Sequence, residues 1–239
     1  MGCFQRLAAP EATEAAGHAG LDFVIIDLEH GRIGPELLGN LVRAAEVALI
    51  APVVRIPEAH GPTIGGILDA GAQGIVVPHV QSGPAAEAVV TATRFPPYGH
   101  RSAVALRATG FGRKLSMAEF LGSDTAKPAV IAMVEDEAGV KNAADIAGTD
   151  GVDALLVGTT DLSFALGVPG DTAHPNVVAG IEQADAAARL HGISLGVPVR
   201  SGQAAAQART RGATFVATDD ISTLLGGLER FHDSAADNA

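Results

Sequence analysis

The chain has no tryptophan, one tyrosine and one cysteine. Each shortage excludes something. A single Cys3 rules out an intrachain disulfide and points to a reducing compartment. No run of Lys or Arg is present, and the net charge is −11. Nucleic acid is therefore an unsuited partner, because neutralising phosphates needs clustered cations. No apolar run is long enough to span a bilayer. The N-terminus shows no basic segment followed by an apolar one, so no signal peptide is evident. Arg6 stands where N-myristoylation wants Ser or Thr. These absences describe a soluble cytoplasmic protein. Neither G-x-G-x-x-G nor G-x-x-x-x-G-K-[ST] occurs, which removes the usual phosphate fingerprints. No Cys/His cluster exists to build a structural zinc site.

What is present is aliphatic. Apolar residues make up 47% of the 239, mostly Ala, Val, Leu and Ile. Small branched side chains suit helices packed on a parallel sheet. The length matches one eight-stranded α/β barrel.

Phe23-Val-Ile-Ile-Asp-Leu-Glu-His-Gly31 is the most informative stretch. A buried, β-branched strand ends abruptly in two carboxylates and a histidine. Similar units recur in order. Strands are expected at 2–7, 23–27, 51–55, 74–78, 129–134, 154–157, 194–197 and 214–217. Helices are expected at 10–19, 34–47, 63–70, 83–93, 117–123, 139–147, 176–191, 201–211 and 221–232. A Pro-, Gly- and Arg-rich segment, 94–114, lacks periodicity and is long enough to suggest function. The tail 233–239 is expected to fray. Eight strand–helix units without a linker predict a single (β/α)8 barrel over 1–239. A doubly wound open sheet is the competing architecture.

Barrel active sites lie at the carboxyl ends of the strands. That rule selects Asp27, Glu29 and His30 after the second strand and Arg55 after the third. It selects Glu135 after the fifth, and Asp161 beyond a Gly158-Thr159-Thr160 turn after the sixth. Glu135 and Asp161 suit a hard divalent cation with water and a chelating substrate in the other positions. Arg55 offers a fork for a carboxylate or enolate oxygen. His30 suits proton transfer near neutral pH, and Asp27 or Glu29 is placed to orient it. Asp27 serves equally well to satisfy a loop backbone. Metal, arginine and histidine together can take a proton from carbon beside a carbonyl. A Schiff-base mechanism needs a desolvated lysine in the site. Of Lys114, Lys127 and Lys141, only Lys114 is placed to reach it, so the metal route is favoured. Arg94, Arg101 and Arg107 are candidates for the far end of a substrate, with solvated or subunit-contact roles as the alternative. Asp219-Asp220 reads as a helix cap, and His79 lies just past the fourth strand.

These residues resemble the HpcH/HpaI aldolases, metal-dependent (class II) pyruvate aldolases. The likeness rests on Phe23-Val-Ile-Ile-Asp-Leu-Glu-His30, Pro52-Val-Val-Arg55, Ile67-Leu-Asp-Ala-Gly-Ala-Gln-Gly-Ile-Val-Val-Pro78, Arg94-Phe-Pro-Pro-Tyr-Gly-His-Arg101, Met133-Val-Glu135 and Gly151-Val-Asp-Ala-Leu-Leu-Val-Gly-Thr-Thr-Asp-Leu162. It implies a TIM barrel of the phosphoenolpyruvate/pyruvate-domain type. It implies Glu135 and Asp161 as ligands of Mg²⁺ or Mn²⁺, with Co²⁺ or Zn²⁺ as alternatives. Arg55 would bind the pyruvyl oxygens beside Gly158, Thr159 and Thr160. His30 would act in acid/base catalysis, supported by Asp27 and Asp69. The expected partners are pyruvate or another 2-oxo acid and an aldehyde. A hexamer, a trimer of dimers, is implied, with the last helix on a neighbouring barrel. Met133, Thr159-Thr160-Asp161-Leu162 and Ser102 depart from the family's common residues and bear on substrate preference. The alternatives are a 2-oxo-dicarboxylate decarboxylase or carboligase using the same enolate, and a non-catalytic barrel subunit.

Overall fold

Eight short apolar runs pair edge to edge, all parallel, until the last meets the first. They are β1 (Gly2–Gln5), β2 (Phe23–Asp27), β3 (Ala51–Arg55), β4 (Gly74–Val77), β5 (Ala129–Val134), β6 (Ala154–Val157), β7 (Ser194–Pro198) and β8 (Phe215–Asp219). The order β1 to β8 closes into a barrel. The structure is a computed structural model describing residues 1–104, 107–123 and 126–236. The helices are α1 (Pro10–His18), α2 (Pro35–Val47), α3 (Gly61–Asp69), α4 (Gly83–Thr93), α5 (Met117–Leu121), α6 (Glu137–Lys141), α7 (Ala143–Ala147), α8 (Thr159–Ala165), α9 (Pro175–His191), α10 (Gly202–Thr210) and α11 (Asp220–Ala236). The expected (β/α)8 barrel is present, and the open sheet is excluded by closure.

Strand alternation divides the core in two. Phe4, Ile25, Val53, Val76, Ile131 and Leu156 fill the barrel interior. Their sequence neighbours, among them Val24, Val54, Ile75, Val130 and Leu155, face the helices. Each fully buried Val, Leu or Ile contributes roughly 1.5–3 kcal/mol. This is why the strands carry continuous apolar runs. Near the barrel floor Phe23 stacks on Phe215, with ring centroids 4.5 Å apart. Gly2 makes room for that stack, since a Cβ there would lie 2.2 Å from the Phe23 ring.

Several boundaries differ from expectation, each for a local reason. β1 stops at Gln5 because the Asp220 carboxylate takes the next backbone N–H groups, Arg6 N at 2.9 Å and Leu7 N at 2.8 Å. β8 runs on to Asp219 instead of ending at Ala217, which carries Asp219 to the barrel mouth. The helix expected over 139–147 is two helices broken at Asn142, whose side chain donates to the Gln81 carbonyl at 2.7 Å. The turn expected around Asp161 is the first turn of α8. The tail is helical to Ala236, and the rest of it, 237–239, lies outside the described residues.

Candidate active site

Register builds the first half of the site. Asp27 and Arg55 are direct partners at the ends of β2 and β3. Alternation turns both inward, in step with Ile25 and Val53. The Asp27 side chain is 0% exposed and Arg55 9%. Arg55 donates Nε to Asp27 Oδ1 at 2.9 Å and Nη2 to Oδ2 at 2.6 Å, a bidentate pair. Its Nη1 lies 3.2 Å from Glu29 Oε2. The guanidinium carbon sits 5.0 Å from the Phe4 ring centroid. Burial works against the charge on Arg55. Bonding to Asp27 and the nearby Glu29 and Glu135 carboxylates outweigh it and raise the pKa. Donors on Nη1 and Nη2 remain unused.

Asp27 does not bond the His30 ring. Its Oδ1 accepts the backbone N–H groups of Glu29 and His30, both at 3.1 Å, as well as Arg55. A fully buried carboxylate takes the strongest donors within reach, here a guanidinium and the turn that follows β2. Asp27 therefore fixes the backbone of His30. The His30 ring is exposed, and no hydrogen bond or ion pair among the described residues holds it.

The second half comes from β5 and β6. Glu135 is buried at the end of β5 and accepts the His79 N–H at 2.7 Å on Oε1. The His79 ring Nδ1 lies 2.9 Å from the same oxygen, and Nε2 lies 3.6 Å from Glu29. The sequence assigned His79 no role. The usable signal was its place just past β4. Its φ of 54° is left-handed, a conformation that costs a non-glycine residue about 1–3 kcal/mol and persists where neighbours enforce it. Here both its backbone and its ring are tied to Glu135. Burial raises the Glu135 pKa; the His79 N–H and ring oppose the shift, while Asp161 and Glu29 add to it.

Gly158 closes β6 against this carboxylate. A Cβ at Gly158 would lie 2.5 Å from Glu135 Oε2, so only glycine leaves that oxygen open. Thr159, Thr160 and Asp161 form the first turn of α8, with Thr160 and Asp161 exposed. Asp27, Glu29, Glu135 and Asp161 face one another across the mouth with Arg55 as their near cation. That excess of negative charge, supplied by hard oxygen donors, fits a divalent metal ion. Among the described residues no three His, Cys, Asp or Glu side chains group to hold a metal by themselves. Glu135 and Asp161, whose charges act on each other, are the pair that could hold such an ion, with water and substrate in the other positions.

Asp69 is not part of this group. It ends α3, and helices of a β/α barrel end at the floor. There its carboxylate pairs with the buried Arg101 at 2.8 Å. A cavity of about 820 Å³ lies outside the barrel between α3 and α4 and is lined by Gly61, Gly65, Gly66, Asp69, Glu87 and Arg101, among others. The described residues of segment 94–114 also belong to the floor side, because the segment follows the end of α4 in the connection that leads to β5. Arg94 donates to the Pro128 carbonyl at 2.9 Å, and Arg107 pairs with Glu46 of α2. Arg94, Arg101 and Arg107 bind this segment to groups on the floor side and do not wall this chain's mouth. Residues 105 and 106 lie outside the described residues.

Residues 1–220 match the family described as HpcH/HpaI aldolase/citrate lyase. The chain belongs to that family. It is 34% identical over 236 residues to a 5-keto-4-deoxy-D-glucarate aldolase of Salmonella paratyphi C (strain RKS4594), covering 98% of this chain and 91% of that protein. A solved HpcH/HpaI aldolase/citrate lyase family protein from Burkholderia cenocepacia J2315 superposes with a TM-score of 0.92 at 33% identity, covering 98% of this chain and 93% of that one. A citrate synthase, SbnG, superposes with a TM-score of 0.88 at 31% identity, covering 99% and 93%. The protein is thus a TIM-barrel carbon–carbon lyase of the aldolase type, and the alternative of a non-catalytic barrel falls. Among the described residues, no helix is long and apolar enough to cross a membrane.

Proposed function

We propose that the enzyme forms or cleaves the bond between the methyl carbon of pyruvate, as its enolate, and the carbonyl carbon of an aldehyde. The observation that carries this is the mouth itself. A clamped Arg55 with spare donors faces two carboxylates that have oxygens open to a metal. Glu135 and Asp161 would hold Mg²⁺ or Mn²⁺, with Co²⁺ or Zn²⁺ able to take the same oxygens. Such an ion, chelated by the carboxylate and keto oxygens of the 2-oxo acid, would make its methyl protons more acidic. Arg55 orients the 2-oxo acid and stabilises the oxygen on which negative charge develops. Its pairing with Asp27 fixes the fork in advance, so little rearrangement accompanies the reaction. His30, on an exposed turn with an unengaged ring, passes the proton to and from the aldehyde oxygen, directly or through water. Asp27 supports it by holding its backbone, and His79 holds Glu135. Gly158, Thr159 and Thr160 line the substrate beside Glu135. Asp69 takes no part in this chain's own mouth.

Pyruvate C3 protons should exchange in deuterated water with Mg²⁺ or Mn²⁺ present, followed by NMR. Exchange that survives exhaustive chelation, or inactivation by borohydride with pyruvate, removes the metal route. Similarity to the SbnG citrate synthase supports a second reading, carboligation or decarboxylation of a 2-oxo-dicarboxylate through the same enolate. Faster carbon dioxide release from oxaloacetate than aldol turnover selects it.

The same reading makes the chain one barrel domain over 1–239 that assembles through its last helix. No residue of α11 is buried, although Leu224, Leu225, Leu228 and Phe231 give it an apolar face. Such a face on a soluble helix marks a contact, here with a second copy. A hexamer built as a trimer of dimers fits this. Leu228→Asp together with Phe231→Asp should shift the mass in light scattering to a smaller species; an unchanged mass removes the assembly role of α11. A cytoplasmic location, with neither nucleic acid nor membrane as partner, accords with the buried lone thiol and the acidic charge.

A further inference from the structure

His79 is strained without being buried. Its side chain is 62% exposed, so core packing does not hold it. Its φ of 54° is nevertheless left-handed. The backbone on either side shows what enforces this. The register of β4 on β5 ends at Val77, opposite Ala132. The Val80 N–H then donates to the Met133 carbonyl at 3.1 Å, and the Val80 side chain is buried. Pro78 and His79 are thus looped out between two attachments to β5. The loop gives the His79 N–H to Glu135 Oε1 at 2.7 Å and brings ring Nδ1 to 2.9 Å from the same oxygen. The other ring nitrogen, Nε2, lies 3.6 Å from Glu29, beyond direct hydrogen-bond reach. Glu135 is therefore the ring's one close polar partner among the described residues.

The two oxygens of Glu135 are made unlike by this loop. Oε1 is covered from the β4 side by a backbone N–H and an imidazole nitrogen. Oε2 lies toward β6, where a Cβ at Gly158 would come within 2.5 Å of it, and glycine leaves it open. Asp161 is on that same side, in the first turn of α8. Resting on the proposed metal-dependent reading, a cation shared by Glu135 and Asp161 meets Oε2 and finds Oε1 closed. Mg²⁺-like ions want few, strictly octahedral ligands, whereas Ca²⁺ takes more oxygens and accepts a carboxylate through both. We propose that His79 is a positioning residue that makes Glu135 a one-oxygen metal ligand and so sets a preference for a small octahedral ion over Ca²⁺. The ring acts through Glu135 and does not itself touch the ion. Partners that orient a ligand in this way commonly tune metal affinity as strongly as a change of ligand geometry does.

Two variants separate the ring from the backbone. His79→Gly removes the ring and keeps the N–H, and glycine takes a left-handed φ without strain. His79→Asn also tolerates that backbone and carries an amide N–H where Nδ1 stood. Mn²⁺ binding to each full-length protein is followed by electron paramagnetic resonance, with Ca²⁺ added as competitor. The parent should bind Mn²⁺ more tightly than Ca²⁺. In His79→Gly the ratio of the two dissociation constants should shift ~10–100-fold toward Ca²⁺, and in His79→Asn it should stay near the parent's. An unchanged ratio in His79→Gly overturns the proposal. Equal weakening of both ions also overturns it, because the ring is then only a prop for the loop. A shift just as large in His79→Asn, or a parent with no preference for Mn²⁺, does the same. A parent that binds no Mn²⁺ at all fails the metal-dependent reading itself, and the role of His79 falls with it. A parent that binds Mn²⁺ beside an indifferent His79→Gly leaves that reading standing and removes His79 alone.

Discussion

Arg55→Met should destabilise the protein by about 3–5 kcal/mol, because it strands the Asp27 carboxylate in the core. Asp27 is 0% exposed and accepts both arms of the guanidinium. Without Arg55 only the Glu29 and His30 N–H groups would serve it. Denaturant unfolding measures the loss. The double variant Arg55→Met, Asp27→Asn should recover a substantial part, since no ion is then left unpaired. A single variant within about 0.5 kcal/mol of the parent would show that the pair does not carry this energy. Activity should suffer separately. The kcat/KM for pyruvate is expected to drop ~10²–10³-fold even where the variant is folded, the scale of losing one donor aimed at developing charge. Recovered stability without recovered activity in the double variant would separate the two roles of Arg55.

Glu135→Gln should lower aldol turnover by ~10³-fold or more while leaving the fold in place. The amide keeps the shape and an oxygen for the His79 N–H, which lies 2.7 Å away. It removes the charge that would hold a divalent ion beside Asp161. Mn²⁺ titration followed by electron paramagnetic resonance should show weakened binding in this variant. Stability should hold or rise slightly. Glu135 sits buried with its pKa raised by burial, Asp161 and Glu29 in spite of the opposing His79 contacts, so its ionised form is disfavoured in the fold. The sign follows from linkage. A carboxyl whose folded pKa is raised binds its proton more tightly when folded, so metal-free stability falls as pH rises through the carboxylate range. Glu135→Gln should flatten that slope. Parent-like Mn²⁺ affinity in the variant would remove Glu135 from the metal site.

Much of the barrel was legible because its physics is local. Eight buried strands need β-branched runs and the helices packed around them need apolar stripes, and both periods are written along the chain. The ends of β2, β3, β5 and β6 could be named for the same reason, since apolar runs that stop at Asp27, Arg55 and Glu135 mark strand ends in any register. Segment 94–114 was harder to place. Its lack of periodicity suggested function, but its position after a helix and before a strand put it at the floor. Asp69 fell there for the same reason.

Composition and pattern by themselves determined the fold class, the ends of β2, β3, β5 and β6 and the acidic, lysine-poor chemistry. Tertiary structure alone decided who pairs with whom. Asp27 went to Arg55 because strand register made them neighbours, leaving the His30 ring unheld. His79 reached Glu135 because a left-handed turn after β4 brought its N–H and ring to one oxygen. Arg6 met Asp219 because closure of the barrel joined two strands more than two hundred residues apart in the chain. A sequence records which residues a strand delivers to its end. Pairing depends on distances across the barrel, which exist only once it has closed.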